Sequence, residues 1–180
     1  MIRRRALLAL SLFAAVVTSP LAHATEVVPS LGMSRNPSYG DAAKVSYGLA
    51  LRQNLAPFVS GELGVGYRQD QLQSGTVEST QWPVTLSFWF KPVPMVYLGG
   101  GTGLYNTTLH RTDPSFNVKT TNTDIGLHVG GGVTLPMIPG LASLDVSGRY
   151  VRLGTHISEV LSQSILDDYW TTSLGVAFQF

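Results

Sequence analysis

The sequence predicts an all-β chain, an eight-stranded antiparallel up-and-down transmembrane β-barrel. Three observations carry this. Eight segments alternate large apolar with small or polar residues, the period of a strand with two unlike faces. The connectors between them alternate long and short. Charged residues make up only 13% of the chain, about half the usual share of a water-soluble domain, while 44% is apolar.

Before the first segment comes an export signal. Arg3, Arg4 and Arg5 precede the apolar stretch Ala6–Val17, and Ala22-His23-Ala24 supplies a small-x-small cleavage pattern. Residues 1–24 are read as a cleaved signal peptide and 25–180 as the barrel domain. Twelve apolar residues are too few to cross a bilayer as a helix, and no later run approaches the 18 or so required. The mature chain keeps nine Lys and Arg against eleven Asp and Glu, a net charge of −2. That balance gives no footprint for nucleic acid.

The strands follow in order. "EVVPSLGMS" places Val27, Pro29, Leu31 and Met33 on one face. "AKVSYGLALR" sets Val45, Tyr47, Leu49 and Leu51 against Lys44, Ser46 and Arg52. "FVSGELGVGYR" sets Leu63, Val65 and Tyr67 against Glu62 and Arg68. "WPVTLSFWFK" sets Trp82, Val84, Leu86, Phe88 and Phe90 against Ser87, Trp89 and Lys91. "MVYLGGGTGLYNT" leaves its facing open, because Val96, Leu98 and Leu104 differ in parity from Tyr97 and Tyr105. "DIGLHVGGGVTL" sets Ile125, Leu127, Val129 and Val133 against His128 and several glycines. "SLDVSGRYVRL" sets Leu144, Val146 and Tyr150 against Asp145 and Arg149. "DDYWTTSLGVAFQF" sets Trp170, Leu174, Val176, Phe178 and Phe180 against Thr171, Ser173 and Gln179.

Short connectors with Pro, Asn or Gly are expected at 54–56, 92–94 and 136–140. Longer polar loops are expected at 35–42, 69–79, 107–121 and 154–168. Outer-membrane barrels have this asymmetry, with short periplasmic turns and long outside loops.

The apolar face should meet lipid. The opposite face is mostly Gly, Ser, Ala and Thr, which suits the narrow lumen of eight strands better than a wet surface. The strand charges share that face, so Lys44, Arg52, Glu62, Arg68, Asp145 and Arg149 are expected to form a lumen network. Aromatics on the apolar face fall near strand ends. Tyr47, Tyr67, Trp82, Tyr150 and Trp170 should form a girdle at the loop end, with Phe90 and Phe178 at the turn end.

The terminal "LGVAFQF" is similar to the assembly signal of bacterial outer-membrane proteins. "KPVPMVYLGGGTGLYNTT" and "LDVSGRYVRLG" resemble the small outer membrane protein A-like or opacity-type β-barrel domain. The resemblance covers essentially the whole mature chain. It implies location in the outer membrane, and contact with outer-membrane lipid and lipopolysaccharide. It also implies that the barrel-assembly machinery reads Phe180, and that the role is structural or surface-interactive. A monomer is expected.

Chemistry is sparse. There is no Cys, and His110, His128 and His156 lack metal-ligand spacing, so neither metal nor cofactor is expected. Gly99-Gly100-Gly101-Thr102-Gly103 lacks the Lys of a phosphate loop and reads as tightly curved strand. His156-Ile157-Ser158 has the look of the His-x-Ser pair of barrel lipid A hydrolases, with Glu159 and Asp168 as possible orienting acids. The matching wall positions, Arg152 and Gly154, cannot do that chemistry. No catalysis is expected; a narrow solute passage and the hydrolase stand as alternatives. Ile157, Val160, Leu161 and Ile165 fit a short amphipathic helix in loop 154–168, a possible partner surface.

Overall fold

The computed structural model describes residues 23–36, 43–72, 77–113, 116–153, 155–158, 163–166 and 168–180. Residues 1–22 of the expected signal lie outside them, while His23 and Ala24 already belong to the first strand. The strands are β1 (His23–Arg35), β2 (Lys44–Ala56), β3 (Val59–Leu72), β4 (Val77–Val93), β5 (Val96–Asp113), β6 (Phe116–Ile138), β7 (Ala142–Arg152), β8 (Thr155–Ser158), β9 (Gln163–Leu166) and β10 (Tyr169–Gln179). Eight of them close in the order β1-β10-β7-β6-β5-β4-β3-β2, and every barrel pairing is antiparallel. The seam runs from Glu26↔Gln179 to Arg35↔Trp170, and the Phe180 N–H donates to the Thr25 carbonyl at 3.0 Å. Closure leaves no barrel edge unpaired, which a lipid environment demands.

The facing follows the alternation. Leu31, Leu49, Val84, Phe88, Ile125, Leu127, Val129 and Leu174 are exposed on the outer wall. Arg52, Glu62, Ser87, Trp89, Asp145 and Ser147 are buried inside. The open question of β5 is settled: Tyr97 and Tyr105, at 2% and 1% exposure, point inward, and Val96, Leu98 and Leu104 point out. The glycines opposite make that possible. A Cβ on Gly132 would stand 2.5 Å from the Tyr97 hydroxyl oxygen and one on Gly126 would stand 2.8 Å from the Tyr105 ring, while on β5 itself one on Gly101 would run into the Leu86 carbonyl oxygen. The Gly-rich run therefore accommodates an inward tyrosine and a close backbone approach.

Three expectations are corrected. The turns lie at 57–58, 94–95 and 139–141, each displaced one to three residues toward the C-terminus from its expected position. A register shift precedes each, at Asn54/Ala56, Phe90/Val93 and Pro136/Ile138. These bulges let the strands run on past Pro92 and Pro136, which cannot donate to the ladder. Gly140, at φ 73, takes the left-handed turn position.

The loops expected at 69–79 and 107–121 are largely strand. β3–β4 pair out to Leu72↔Val77 and β5–β6 to Asp113↔Phe116. Polar sequence there marks departure from lipid, not from the ladder; Thr107, Thr108, Thr120, Thr121 and Thr123 are β-branched and suit a strand.

The helix expected around Ile157 is replaced by a hairpin. β8 and β9 pair from Thr155↔Leu166 to Ser158↔Gln163, with 159–162 outside the described residues. Four apolar residues in so short a stretch fit either period, and Thr155, Ile157 and Ile165 tip it toward strand.

Candidate functional site: lumen belt, girdle and loop-end sheet

The lumen is crossed by a belt that register assembles. Glu26 stands opposite Arg52, and Arg52 opposite Glu62, across β1–β2–β3. Arg52 Nη2 approaches Glu62 Oε2 at 2.8 Å, and its Nη1 donates to Asp145 Oδ2 on the far wall at 3.0 Å. Arg149 Nη2 donates to Glu62 Oε1 at 2.7 Å. Tyr97 donates its hydroxyl to Asp145 Oδ1 at 2.8 Å, and the Arg52 guanidinium lies 4.6 Å from the centre of that ring. Arg149 lies 5.0 Å from the Trp89 ring centre. Glu26 Oε2 reaches Arg52 Nη1 at 3.6 Å. Two guanidiniums thus meet two buried carboxylates with nearly every oxygen engaged, the condition under which enclosed charge is tolerated.

Of the six expected lumen charges, four come together: Arg52, Glu62, Asp145 and Arg149. Lys44 and Arg68 sit toward the loop end, outside the belt. The Arg68 guanidinium lies 3.8 Å from the Tyr169 ring centre. Lys91, nearer the turns, donates to Asn54 Oδ1 at 2.9 Å. Glu26, Trp89 and Tyr97 are belt members that charge reading alone misses. Trp89 is visible as the one large apolar side chain on the small-residue face of its strand; Tyr97 is hidden by the parity conflict in β5.

Just above the belt, Ser87 Oγ and His128 Nε2 are 2.9 Å apart, both buried. His128 Nδ1 has no hydrogen-bond partner among the described residues, so no carboxylate orients this pair as a nucleophilic triad requires. Nearer the loop end, Tyr105, Val151, Leu153 and Tyr169 form an apolar cluster. Asp168 accepts from the Tyr150 hydroxyl at 2.9 Å and from the Leu153 N–H at 3.0 Å. It fixes the chain where β7 ends and β10 begins. Both its oxygens are used there, and the His156–Ser158 segment belongs to the separate β8–β9 hairpin. Among the described residues no group of three His, Asp or Glu could hold a metal ion.

On the outer wall the loop-end aromatics form two groups. Tyr47 stands opposite Tyr67 with ring centres 6.4 Å apart, and Tyr67 is 4.8 Å from Trp82. Tyr150 stands opposite Trp170 at 4.9 Å. Phe90 and Phe178 are exposed at the turn end, and Phe180 is 80% exposed beside the seam.

Above this level the pairing among the described residues is uneven. β1–β2 pairing stops at Ser34↔Lys44 and β6–β7 pairing at Leu127↔Arg152, while β3 to β6 continue as a four-stranded sheet. Along Phe116–Gly126 the β7-facing edge of β6 pairs with no strand among the described residues. Thr120, Thr121, Asn122 and Thr123 on that edge are exposed.

Comparison with solved structures places this architecture. Neisserial surface protein A matches at a TM-score of 0.60 and 16% identity, covering 87% of this chain and 96% of that one. Ail of Yersinia pestis, solved with the heparin analogue sucrose octasulfate, matches at 0.58 and 14%, covering 87% and 97%. A major outer membrane protein of Thermus thermophilus matches at 0.54 and 18%, covering 88% and 100%. No family model matches the sequence, and no curated protein does. At these identities the likeness establishes the fold alone, the closed eight-stranded transmembrane β-barrel that these outer-membrane proteins share.

Proposed function

We propose that this chain is a non-catalytic outer-membrane protein that acts through the sheet and hairpin at its loop end, not through its lumen. One observation carries the reading: past the girdle level of Tyr67 and Trp82, β3 and β4 continue to Leu72↔Val77 and β5 and β6 continue from Asn106↔Thr123 to Asp113↔Phe116, roughly 20 Å along the strand, with a Thr-rich β6 edge that is unpaired among the described residues. An exposed strand edge offers backbone donors and acceptors to an extended partner segment. The edge carries neither Pro nor a bulge that would blunt it.

Location and assembly fit the same reading. The expected signal peptide would deliver the chain to the periplasm, and the apolar wall would take outer-membrane lipid and lipopolysaccharide as its surroundings. Phe180, with its ring exposed at the seam, is available to the barrel-assembly machinery. A closed barrel with a lipid-facing wall needs no second copy, so a monomer is the working state.

Two variants test the proposal on whole cells. Removing 108–121, whose ends are register partners, and joining the strands through Asn-Gly shortens the β5–β6 ribbon. Removing 155–167 deletes the β8–β9 hairpin. Both should keep heat-modifiable gel mobility, and the ribbon deletion should abolish surface binding to host cells or matrix. Undiminished binding by a folded double deletion would sink the reading. The narrow-passage alternative predicts steady single-channel conductance in planar bilayers. The hydrolase alternative predicts lipid A deacylation lost in Ser158→Ala.

A further inference from the structure

The turn end of the barrel is apolar to its tips. Residues 54–58, 92–95 and 135–141 read NLAPF, PVPM and LPMIPGL, with no charge among them and Asn54 as the one polar side chain. Leu55, Phe58, Val93, Met95, Met137 and Leu141 are all exposed there. An apolar rim of this extent does not face bulk water without a cost, so something covers it.

The first clue to the cover is continuity. The rim runs into the lipid-facing wall through Phe90, Leu135 and Phe178, which are exposed beside it. The groove between the first two turns belongs to the same surface: apart from Asn54 and Lys91 its lining is apolar, and Lys91 donates to Asn54. The second clue is the kind of aromatic. Among the described residues the outward Tyr and Trp, from Tyr47 to Trp170, all belong to the loop-end girdle, whereas the turn end carries Phe58, Phe90, Phe178 and Phe180. Tyr and Trp suit a level where one end of the ring is dry and the other wet. Phe has no polar end and suits a level that is still dry.

The height agrees. Trp82 to Val93 on β4 is roughly 36 Å along the strand. At the usual tilt that is about 28 Å along the membrane normal, against about 25 Å for the apolar band of such barrels. With Trp82 at its own interface, the turns reach only into the headgroup layer of the opposite leaflet, which adds roughly 5–8 Å beyond the hydrocarbon.

We propose that the turn end is a lipid-docking surface, with phospholipid of the turn-side leaflet lying over the three turns, so that the barrel ends inside the membrane on that side. This surface is independent of the β6 edge. It rests on the membrane-spanning fold, which the test checks separately.

The chain has no Cys, so single spin labels go onto Phe58→Cys, Met95→Cys and Met137→Cys, with Leu86→Cys as the wall reference and Thr121→Cys as the water reference. The folded barrel is placed in vesicles of phosphatidylethanolamine and phosphatidylglycerol. Collisions with oxygen, which prefers lipid, are compared with collisions with a neutral, water-soluble nickel chelate. The turn labels should meet the chelate about tenfold less often than the Thr121→Cys label, because lipid excludes a polar solute. A variant that loses heat-modifiable mobility is replaced by Leu55→Cys, Val93→Cys or Leu141→Cys. Turn labels as open to the chelate as Thr121→Cys, with Leu86→Cys still protected, would show a face left for water or a soluble partner; that overturns the proposal and leaves the barrel reading intact. An open Leu86→Cys would overturn both. Protection that comes with spin–spin broadening, growing with the protein-to-lipid ratio, would make a second copy the cover and overturn the proposal as well.

Discussion

Arg52 is the residue on which the interior depends most. It is 2% exposed and reaches Glu62, Asp145 and Glu26 at once. Truncation to Ala would strand two buried carboxylates with a single remaining guanidinium between them. The expected loss is about 3–5 kcal/mol, read from urea titration of the folded barrel by tryptophan fluorescence. Arg149→Ala should cost less, because its side chain is 20% exposed and water can take over part of its role. Gly132→Ala tests a different kind of constraint. The added methyl meets the Tyr97 hydroxyl, which Asp145 holds in place, and should destabilise by about 1–3 kcal/mol through overpacking. An unchanged midpoint in that variant would mean that the Tyr97 ring and the β7 backbone at Val146 both give way, against the packing described.

At the scale of elements, cross-strand aromatic pairs brace the barrel where it leaves the lipid. Trp170→Ala removes one partner of the Tyr150 pair and should lower stability by about 0.5–1.5 kcal/mol beyond the lost apolar area. A double-mutant cycle with Tyr150→Ala, read from the same urea midpoints, isolates that coupling. Segment identity and facing were legible in the sequence because lipid on one side and a crowded lumen on the other force a strict period of two. Leu127 and His128 advertise opposite faces by chemistry alone. The facing of β5 was not legible, since Tyr97 and Leu98 are both large and apolar enough for the wall. What decides between them is Gly132 on the neighbouring strand, a long-range fact. The extent of β5 and β6 was misread because Thr and Asn are equally at home in a loop and in a hydrated sheet. The hairpin at 155–166 escaped for a related reason: four apolar residues cannot distinguish two periods. In the belt, Arg52, Glu62, Asp145 and Arg149 were foreseeable from charge and parity, whereas the exclusion of Lys44 and Arg68 depends on height along the axis, which parity does not encode.

The whole molecule is a thin apolar sleeve around a polar, cross-linked middle. Leu86 lies midway between Trp82 at one rim and Phe90 near the other, so a charge there has no interface to reach. Leu86→Arg should destabilise the barrel in bilayers by about 2–4 kcal/mol and much less in water-penetrated micelles. Equal effects in both media would argue against lipid contact at that height. The belt blocks the bore, so purified protein in planar bilayers should show no sustained conductance.

The hydrogen bond from Phe180 to Thr25 has one more consequence. Because the first and last strands lie side by side, the chain is topologically a ring cut at that point, and the cut carries no structural privilege. A permutant joined between 180 and 25 by a short Gly-Ser bridge, and opened instead between Pro57 and Phe58, should refold in vitro to the same far-ultraviolet spectrum and the same thermal midpoint.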